Sequence, residues 1–155
     1  MNPYQIQLTK RTAIHRKKLT RPLTWLWINE HFSNLHNKRV LDYGSGKSVD
    51  YIFLGADRYD PNFQPIRPKH KYDIILCTYV LNVLQKDEQD KVMEDIKSLL
   101  KVNGRAYITV RRDIKFKGVK VKGYYTKGGW SQTRVELDLP KLKETSNFCT
   151  YLLYK

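Results

Sequence analysis

The residues best suited to chemistry form the stretch VLDYGSGKS, Val40–Ser48. An apolar run leads into Asp42, and a Gly-x-Gly turn follows at Gly44 and Gly46. Glycines at such a turn let the main chain bend tightly and approach a ligand without a Cβ in the way. The N–H groups at the start of the next helix would then point at a polar or anionic ligand group. The stretch therefore predicts a site for a nucleotide-like ligand, at the end of the first strand of a parallel sheet.

Three loop patterns compete for this stretch, and two of them fail at one residue each. A phosphate-binding P-loop needs glycine where Leu41 stands, and the dinucleotide fingerprint G-x-G-x-x-G needs glycine in place of Val49. The third pattern, D-x-G-x-G, resembles motif I of the class I S-adenosyl-L-methionine (SAM) methyltransferases, whose loop packs against the amino-acid end of SAM. An ordinary pair of glycines between strand and turn is the alternative. The resemblance implies five consecutive SAM-binding residues: Asp42, Tyr43, Gly44, Ser45 and Gly46.

A further acidic residue follows where a second strand should end. After a short helical segment with Val49, Ile52 and Phe53, the stretch ADRYDPNF predicts a strand that ends at Asp60–Pro61. In this fold, an acidic residue at that point accepts hydrogen bonds from the two ribose hydroxyls. Asp60 is therefore the candidate ribose ligand, with Pro61 beside it in the cofactor site, and Asp57 is interpreted as a surface charge. A simple Asp-Pro turn is the alternative.

Composition indicates one α/β domain that spans residues 1–155. With 155 residues and 41% hydrophobic content, the chain can bury a real core. It has no apolar run of about 18 residues and no signal-peptide pattern, so we expect a soluble, cytoplasmic protein without membrane association. Cys77 and Cys149 lie in apolar, strand-like stretches without metal-ligand spacing. We therefore expect buried free thiols in a reducing compartment and no metal site.

The net charge of +14 is concentrated at the two ends of the chain. Residues 1–40 carry eight Lys or Arg and one Asp or Glu, residues 41–110 carry ten of each, and residues 111–155 carry eleven and four. Basic flanks of +7 on either side of a neutral centre favour a polyanionic partner, DNA or RNA, although a merely solubilising surface is the alternative. Aromatic residues among the lysines of the C-terminal flank suit base stacking, although ordinary packing of a hairpin is the alternative. The candidate nucleic-acid-binding residues are Arg11, Arg16, Lys17, Lys18, Lys120, Lys122, Lys127 and Trp130.

Hydrophobic periodicity places these motifs on a trimmed Rossmann-like sheet. A basic N-terminal arm, residues 1–20, precedes a helix that starts near Thr20–Pro22, with an apolar stripe of Leu23, Leu26, Trp27 and Phe32 and with Trp25 off the stripe. Residues 60–72 are too few for the usual helix and third strand. A buried strand at Tyr72–Thr78, a helix capped by Asp87 and stopped at Asn103–Gly104, and a strand at Arg105–Val110 follow. The basic tail, residues 111–155, predicts a β-hairpin around Gly123–Gly129 and a last strand. Together they predict a three-layer α/β/α fold, mostly parallel with a C-terminal antiparallel hairpin.

The carboxyl end of the Tyr72–Thr78 strand should face the acceptor. Enzymes that methylate amino groups of DNA usually carry an Asp/Asn/Ser-Pro-Pro-aromatic box here, and this chain lacks it, as it lacks a Pro-Cys nucleophile. The polar residues that remain are the catalytic candidates, Thr78, Tyr79 and Asn82, with Thr78 also a candidate for cofactor contact. Core or capping roles for them are equally consistent with the sequence.

A narrower resemblance emerges from the order of the motifs KRTAIHR, LDYGSG, YDP, YVLNVL and GYYTKGGWSQ, from about Lys10 to Gln132. The order is similar to that in the methyltransferases associated with DNA phosphorothioation gene clusters. In this chain Ser45 stands where a cysteine is common, and Lys47–Ser48 replaces an arginine-glycine pair. The resemblance implies a SAM-dependent methyltransferase linked to nucleic acid, with Asp42, Gly44, Gly46 and Asp60 in the SAM pocket.

Two classes of function follow from the sequence. The first is transfer of a methyl group from SAM to a nucleic acid, which needs an aligned acceptor and no obvious general base. The second is a non-catalytic SAM- or nucleic-acid-binding module with a degenerate methyltransferase fold. A methyltransferase that acts on a protein or a small molecule is a third possibility, for which the basic charge would be incidental.

Overall fold

A mixed six-stranded sheet forms the centre of the protein. The computed structural model describes residues 9–10, 13, 15–114, 120–121 (backbone only) and 132–155. Its strands are β1 (Val40–Tyr43), β2 (Asp57–Tyr59), β3 (Tyr72–Thr78), β4 (Leu100–Arg111), β7 (Lys141–Glu144) and β8 (Phe148–Tyr154). They lie in the order β2-β1-β3-β4-β8-β7, in which the first four strands pair in parallel and β8 pairs antiparallel with both β4 and β7. The predicted mostly parallel sheet with C-terminal antiparallel strands is confirmed.

Helices cover both faces of the sheet, which makes three layers. Helix α1 (Arg21–Ile28) packs Leu23 and Leu26 on one face, and helix α3 (Lys86–Leu99) packs Ile96 and Leu99 on the other. Successive β3 residues alternate between the two cores, because strand side chains point to opposite faces in turn. A strand buried on both sides needs a continuous apolar sequence, and β3 has one.

The sheet lacks a third parallel strand beyond β2. Residues 61–71 contain neither helix nor strand, and their link to the sheet is the antiparallel bridge of Asp60 with Gln64. Helix α2 (Asp50–Leu54), after the glycine turn, has five residues. Both features match the trimmed fold that the short connections predict, and they leave β2 at the edge of the sheet.

Two helix boundaries and one tryptophan differ from the predictions. Trp27, which belongs to the predicted buried stripe, is exposed, because α1 ends at Ile28 and its buried face is narrower than that stripe. Trp25 packs against the core. Helix α3 begins at Lys86 after Gln85, so Asp87 lies in the first turn and does not cap the helix. The helix passes directly into β4 at Leu100, so the predicted stop at residues 103–104 lies inside that strand.

The antiparallel part of the sheet is not built from the predicted hairpin. Residues 123–129 lie outside the described part of the chain. Their flanks, β5 (Lys120–Val121) and β6 (Gln132–Thr133), pair with each other in a separate two-stranded sheet. The last strand, β8, instead pairs with β7. The charged sequence KLKE did not predict β7, because the lysines that an edge strand tolerates hide its strand pattern. Cys77 and Cys149 are buried free thiols, as predicted.

Candidate active site

A cleft of about 1110 Å³ opens at the carboxyl ends of β1, β2 and β3. Ligands of parallel sheets bind at this edge, and the volume is at the upper end of the range for small-molecule sites. The loops after these three strands form its floor, and residues just before α1 form one wall. All of the predicted cofactor residues line it: Asp42, Tyr43, Gly44, Ser45, Gly46, Asp60, Pro61 and Thr78.

The turn after β1 requires glycine at its first position for two reasons. Gly44 has φ +74°, in the left-handed region that side chains with a Cβ rarely adopt. A Cβ at this position would also lie 2.3 Å from Val80 Cγ2, in the loop after β3. The Gly44 N–H donates to the Tyr59 carbonyl at 2.7 Å, so the turn is bonded to β2. The loops after three strands therefore meet at a position that only glycine can occupy.

The peptide groups on both sides of Gly46 are held by two side chains from the β2 region. Asp60 Oδ2 accepts a hydrogen bond from the Gly46 N–H at 2.8 Å, and Arg58 Nη2 donates to the Gly46 carbonyl at 2.8 Å. Arg58 also donates from Nε to Ser45 Oγ and lies over the Tyr51 ring, 4.4 Å from its centroid. The sequence reasoning missed Arg58. Its position two residues before Asp60, hence on the same face of a strand, was the available signal.

Asp60 organises its own turn as well as the glycine loop. Its Oδ1 accepts hydrogen bonds from the N–H groups of Asn62 at 2.8 Å and Phe63 at 3.1 Å. A carboxylate has roughly four acceptor positions, and three are occupied here by backbone donors. One acceptor position, on Oδ2, is left for a ligand hydroxyl.

Asp42, at the third position of β1, holds a buried oxygen to which no described residue donates a hydrogen bond. Its side chain is 3% exposed, and Oδ2 has no hydrogen-bond partner among the described residues. Burial, reinforced by the charges of Asp50 and Asp60 and opposed by Arg58, raises the pKa of Asp42 from 3.8 to about 8. A buried acceptor on the wall of a cleft suits a ligand that donates a hydrogen bond or carries positive charge.

Asp50 fastens the segment before α1 to the site, a role that the sequence did not reveal. Its Oδ1 accepts from the Thr20 N–H at 3.0 Å, and its Oδ2 accepts from Thr20 Oγ1 at 3.1 Å. Both side chains are buried. The same segment meets the glycine loop through the Arg16 N–H, which donates to the Lys47 carbonyl at 3.4 Å. These bonds place Arg16 and Arg21 on the cleft wall.

Tyr79, the first residue after β3, occupies a strained position at the other end of the cleft. Its φ is 60°, which is uncommon for a residue with a side chain, and its N–H donates to the Thr109 carbonyl at 2.9 Å. Arg16 lies over its ring, 5.9 Å from the centroid. Burial raises the pKa of the Tyr79 hydroxyl, against the lowering effect of three arginines that face it: Arg16, Arg111 and Arg21. Asp113 acts in the opposite direction to the arginines and raises the pKa of Tyr79. Asp113 also pairs with Arg111 at 2.5 Å.

Of the three catalytic candidates, Asn82 does not belong to the cleft. Its side chain is 1% exposed, with Nδ2 donating to the Thr133 carbonyl and Oδ1 accepting from the Arg111 N–H, each at 2.8 Å. Asn82 therefore connects the β6 segment to the end of β4. The structure gives it this structural role in place of the predicted catalytic one. Thr78 and Tyr79 both line the cleft.

The predicted nucleic-acid residues divide into two groups. Arg16 lies on the cleft wall, and Lys17 and Lys18 are exposed beside it. Lys120 lies in β5, where only the backbone is described. The remaining residues lie outside the described part of the chain: Arg11, Lys122, Lys127 and Trp130. A role for any of the eight in binding nucleic acid stays a prediction. Within the described ranges, no helix is long and apolar enough to cross a membrane.

Comparison with solved structures identifies the architecture. A Burkholderia thailandensis 1,6-didemethyltoxoflavin N1-methyltransferase, bound to 1,6-didemethyltoxoflavin and S-adenosylhomocysteine, matches with a TM-score of 0.58 at 12% identity, over 98% of this chain and 89% of its own. The fold is that of the class I SAM-dependent methyltransferases. The glycopeptide N-methyltransferase MtfA matches with a TM-score of 0.53 at 6% identity, over 100% and 99% of the two chains. The complex of DhpI with SAM and HEP matches with a TM-score of 0.51 at 9% identity, over 96% and 92%.

These likenesses show the methyltransferase fold and nothing finer, because the identities are low. No protein-family model matches the chain, and no curated protein matches it. The narrower resemblance to methyltransferases of phosphorothioation clusters, and a nucleic acid as the acceptor, stay predictions.

Proposed function

We propose that the protein is a SAM-dependent methyltransferase whose acceptor is a nucleic acid, DNA or RNA. The observation that carries the proposal is Oδ2 of Asp42, which has no hydrogen-bond partner among the described residues and is buried in the wall of a cleft that the glycine loop borders. An unsatisfied buried carboxylate oxygen costs free energy unless a ligand donates to it. The ammonium group of a methionine moiety has the required charge and hydrogen atoms.

The residues of the cleft fit SAM along its length. Gly44 lets the backbone approach the amino-acid end, where Asp42 would accept from the ammonium group. Asp60 would accept from a ribose hydroxyl at its one remaining position, since its other positions hold the loop. SAM supplies a methyl group that its sulfonium already activates. The protein therefore has to align the acceptor and exclude water, and it needs a base only where the acceptor loses a proton early.

The opposite end of the cleft suits an anionic acceptor. Arg16 lies over the Tyr79 ring, and Arg21 and Arg111, the latter paired with Asp113, line the same cleft. Guanidinium groups bind phosphate with directed hydrogen bonds. Because its pKa is raised, the Tyr79 hydroxyl stays protonated near neutral pH and would orient the acceptor as a hydrogen-bonding phenol. The uncommon backbone conformation of Tyr79, whose side chain lines the cleft, is typical of residues at functional sites.

The alternative is a module that binds nucleic acid without methyl transfer. It is favoured by one observation: three backbone N–H groups already occupy Asp60, so two ribose hydroxyls cannot both bind there unless a loop donor is released. In such a module the glycine loop would be held by Asp60 and Arg58 as a purely structural turn.

Calorimetric titration with SAM and S-adenosylhomocysteine separates these functions. We expect the wild type to bind both, Asp42→Asn to bind SAM at least about tenfold more weakly, since a charged hydrogen bond is lost, and the exposed control Asp138→Asn to match the wild type. Incubation with methyl-labelled SAM and single-stranded or duplex DNA and RNA then tests for transfer. Folded wild type that binds nucleic acid but neither SAM nor its product would overturn the enzyme and support the module. SAM binding without methyl transfer to any nucleic acid would overturn the nucleic-acid acceptor.

A further inference from the structure

An apolar groove lies on the surface between α1 and α2. Of the seven large hydrophobic side chains that are exposed in the described residues, four lie on these two helices: Trp27 (51%), Ile28 (71%), Ile52 (62%) and Phe53 (53%). Scattered exposed apolar residues are normal on a soluble protein, but a cluster marks a contact surface. Three of the four border a groove of about 420 Å³ whose lining is Lys18, Leu19, Thr24, Trp27, Ile28 and Phe53.

The groove adjoins the candidate active site across one stretch of backbone, residues 16–21. Lys18 and Leu19 of this stretch line the groove, whereas Arg16, Thr20 and Arg21 line the cleft. The hydrogen bonds from Thr20 to Asp50 hold the stretch against α2 at this point. A ligand that left the cleft over this stretch would therefore enter the groove.

The chemistry of the groove indicates what occupies it. Two aromatic rings, Trp27 and Phe53, stand exposed beside Lys18, and no carboxylate is among the described residues that line the groove. Lys17 is exposed next to Lys18, and Arg16 and Arg21 continue the positive charge into the cleft. Exposed aromatics beside a row of cations are how proteins bind unpaired nucleic-acid strands, with bases stacked on rings and phosphates neutralised. An acidic peptide would complement the lysines but has no bases to stack on the two exposed rings.

We propose that single-stranded nucleic acid binds this groove, with bases stacked on Trp27 and Phe53 and phosphates near Lys17 and Lys18. The strand passes over residues 16–21 into the cleft, where its target nucleotide meets Tyr79. A duplex hides the faces of its bases in the helical stack, so the groove selects unpaired strands. This inference rests on the proposed function, since it names the form of the nucleic acid that the same site takes.

Fluorescence anisotropy with labelled oligonucleotides tests the groove. The ligands are mixed-sequence single strands of DNA and RNA and duplexes of the same length. Each is titrated with the wild type, with a Trp27→Ala/Phe53→Ala variant and with Tyr154→Ala. Tyr154 is an exposed aromatic residue at the end of β8, so it is the matched control. We expect the wild type to prefer single strands, the double variant to lose about tenfold or more of that affinity, and the control and all SAM affinities to stay unchanged. Lys17→Gln/Lys18→Gln should reduce the salt dependence of binding.

The outcomes separate this inference from the proposed function. If the wild type binds nucleic acid and the double variant binds it equally well, the groove proposal is overturned and the proposed function stands. If folded wild type binds SAM but no nucleic acid, both the groove proposal and the nucleic-acid acceptor fail. Self-association that light scattering detects in the wild type and not in the double variant, with oligonucleotide binding unchanged, would assign the groove to a second copy of the chain and overturn the proposal.

Discussion

Replacing Asp42 by asparagine should stabilise the ligand-free protein while it weakens SAM binding. The substitution keeps the size of the side chain and removes its charge. Asp42 is almost fully buried, its Oδ2 lacks a partner in the described residues, and its pKa is raised to about 8 by burial and by Asp50 and Asp60. In the unfolded chain the same carboxyl ionises near pH 4, as a free aspartate does.

The pH dependence of stability follows from these two pKa values. Between about pH 4 and pH 8, the folded protein holds one proton at Asp42 that the unfolded chain has released. Stability from this group is thus fully present below pH 4 and is lost as the pH rises, by about 1.4 kcal/mol per pH unit. The total loss is at most about 6 kcal/mol, which is comparable to the whole stability of many domains. Asparagine has no such proton to lose.

Urea unfolding at pH 5, 7 and 9 measures the effect. We expect Asp42→Asn to gain stability over the wild type as the pH rises, reaching a few kcal/mol at pH 9 within the limit of about 6 kcal/mol. The exposed control Asp138→Asn should follow the wild type at each pH. Parallel pH profiles for the wild type and Asp42→Asn, or a variant that is less stable at pH 9, would refute the reasoning from burial and neighbouring charge.

The same proton couples SAM binding to pH. Because Asp42 has to be ionised to attract the ammonium group, SAM affinity should rise from pH 6 to pH 8 in the wild type and stay nearly flat in Asp42→Asn. Calorimetry at pH 7 in two buffers with different heats of ionisation should show proton release by the wild type alone. An affinity that falls with pH would contradict an ionised Asp42 in the complex.

Three further substitutions test the loop. Asp60→Ala should cost about 2–4 kcal/mol in thermal unfolding, because three partly buried backbone N–H groups lose their acceptor. Asp60→Asn should recover part of this loss, and an unchanged melting temperature would contradict the bonding role. Arg58→Met should weaken SAM binding about tenfold in calorimetry, because a charged hydrogen bond to the Gly46 carbonyl is lost; wild-type affinity would argue against the clamp. Gly44→Ala should lower stability by more than the ~1–3 kcal/mol of backbone strain alone, with Val80→Ala restoring only the steric part in a double-mutant cycle.

Local patterns in the sequence determined the frame of the protein and the place of its cleft. The order DYGSG after an apolar run is a strand followed by a tight turn, because Asp42 and the glycines act through their immediate neighbours. The almost continuous apolar run of β3 identified a buried strand, and the short 60–72 connection excluded a helix together with a third strand by length. These features depend on residues close in sequence, so they could be predicted.

The tertiary structure alone decided what each site residue does. Asp60 meets Gly46 across 14 residues, Asp50 meets Thr20 across 30, and Asn82 reaches Thr133 across 51. Which partners a polar side chain finds depends on how the strands align in the sheet, and hydrophobic periodicity carries no record of that alignment. The missing partner of Asp42 and the aromatic groove of Trp27 and Phe53 are likewise properties of packing, since burial is set by the elements that cover a residue and not by its own type.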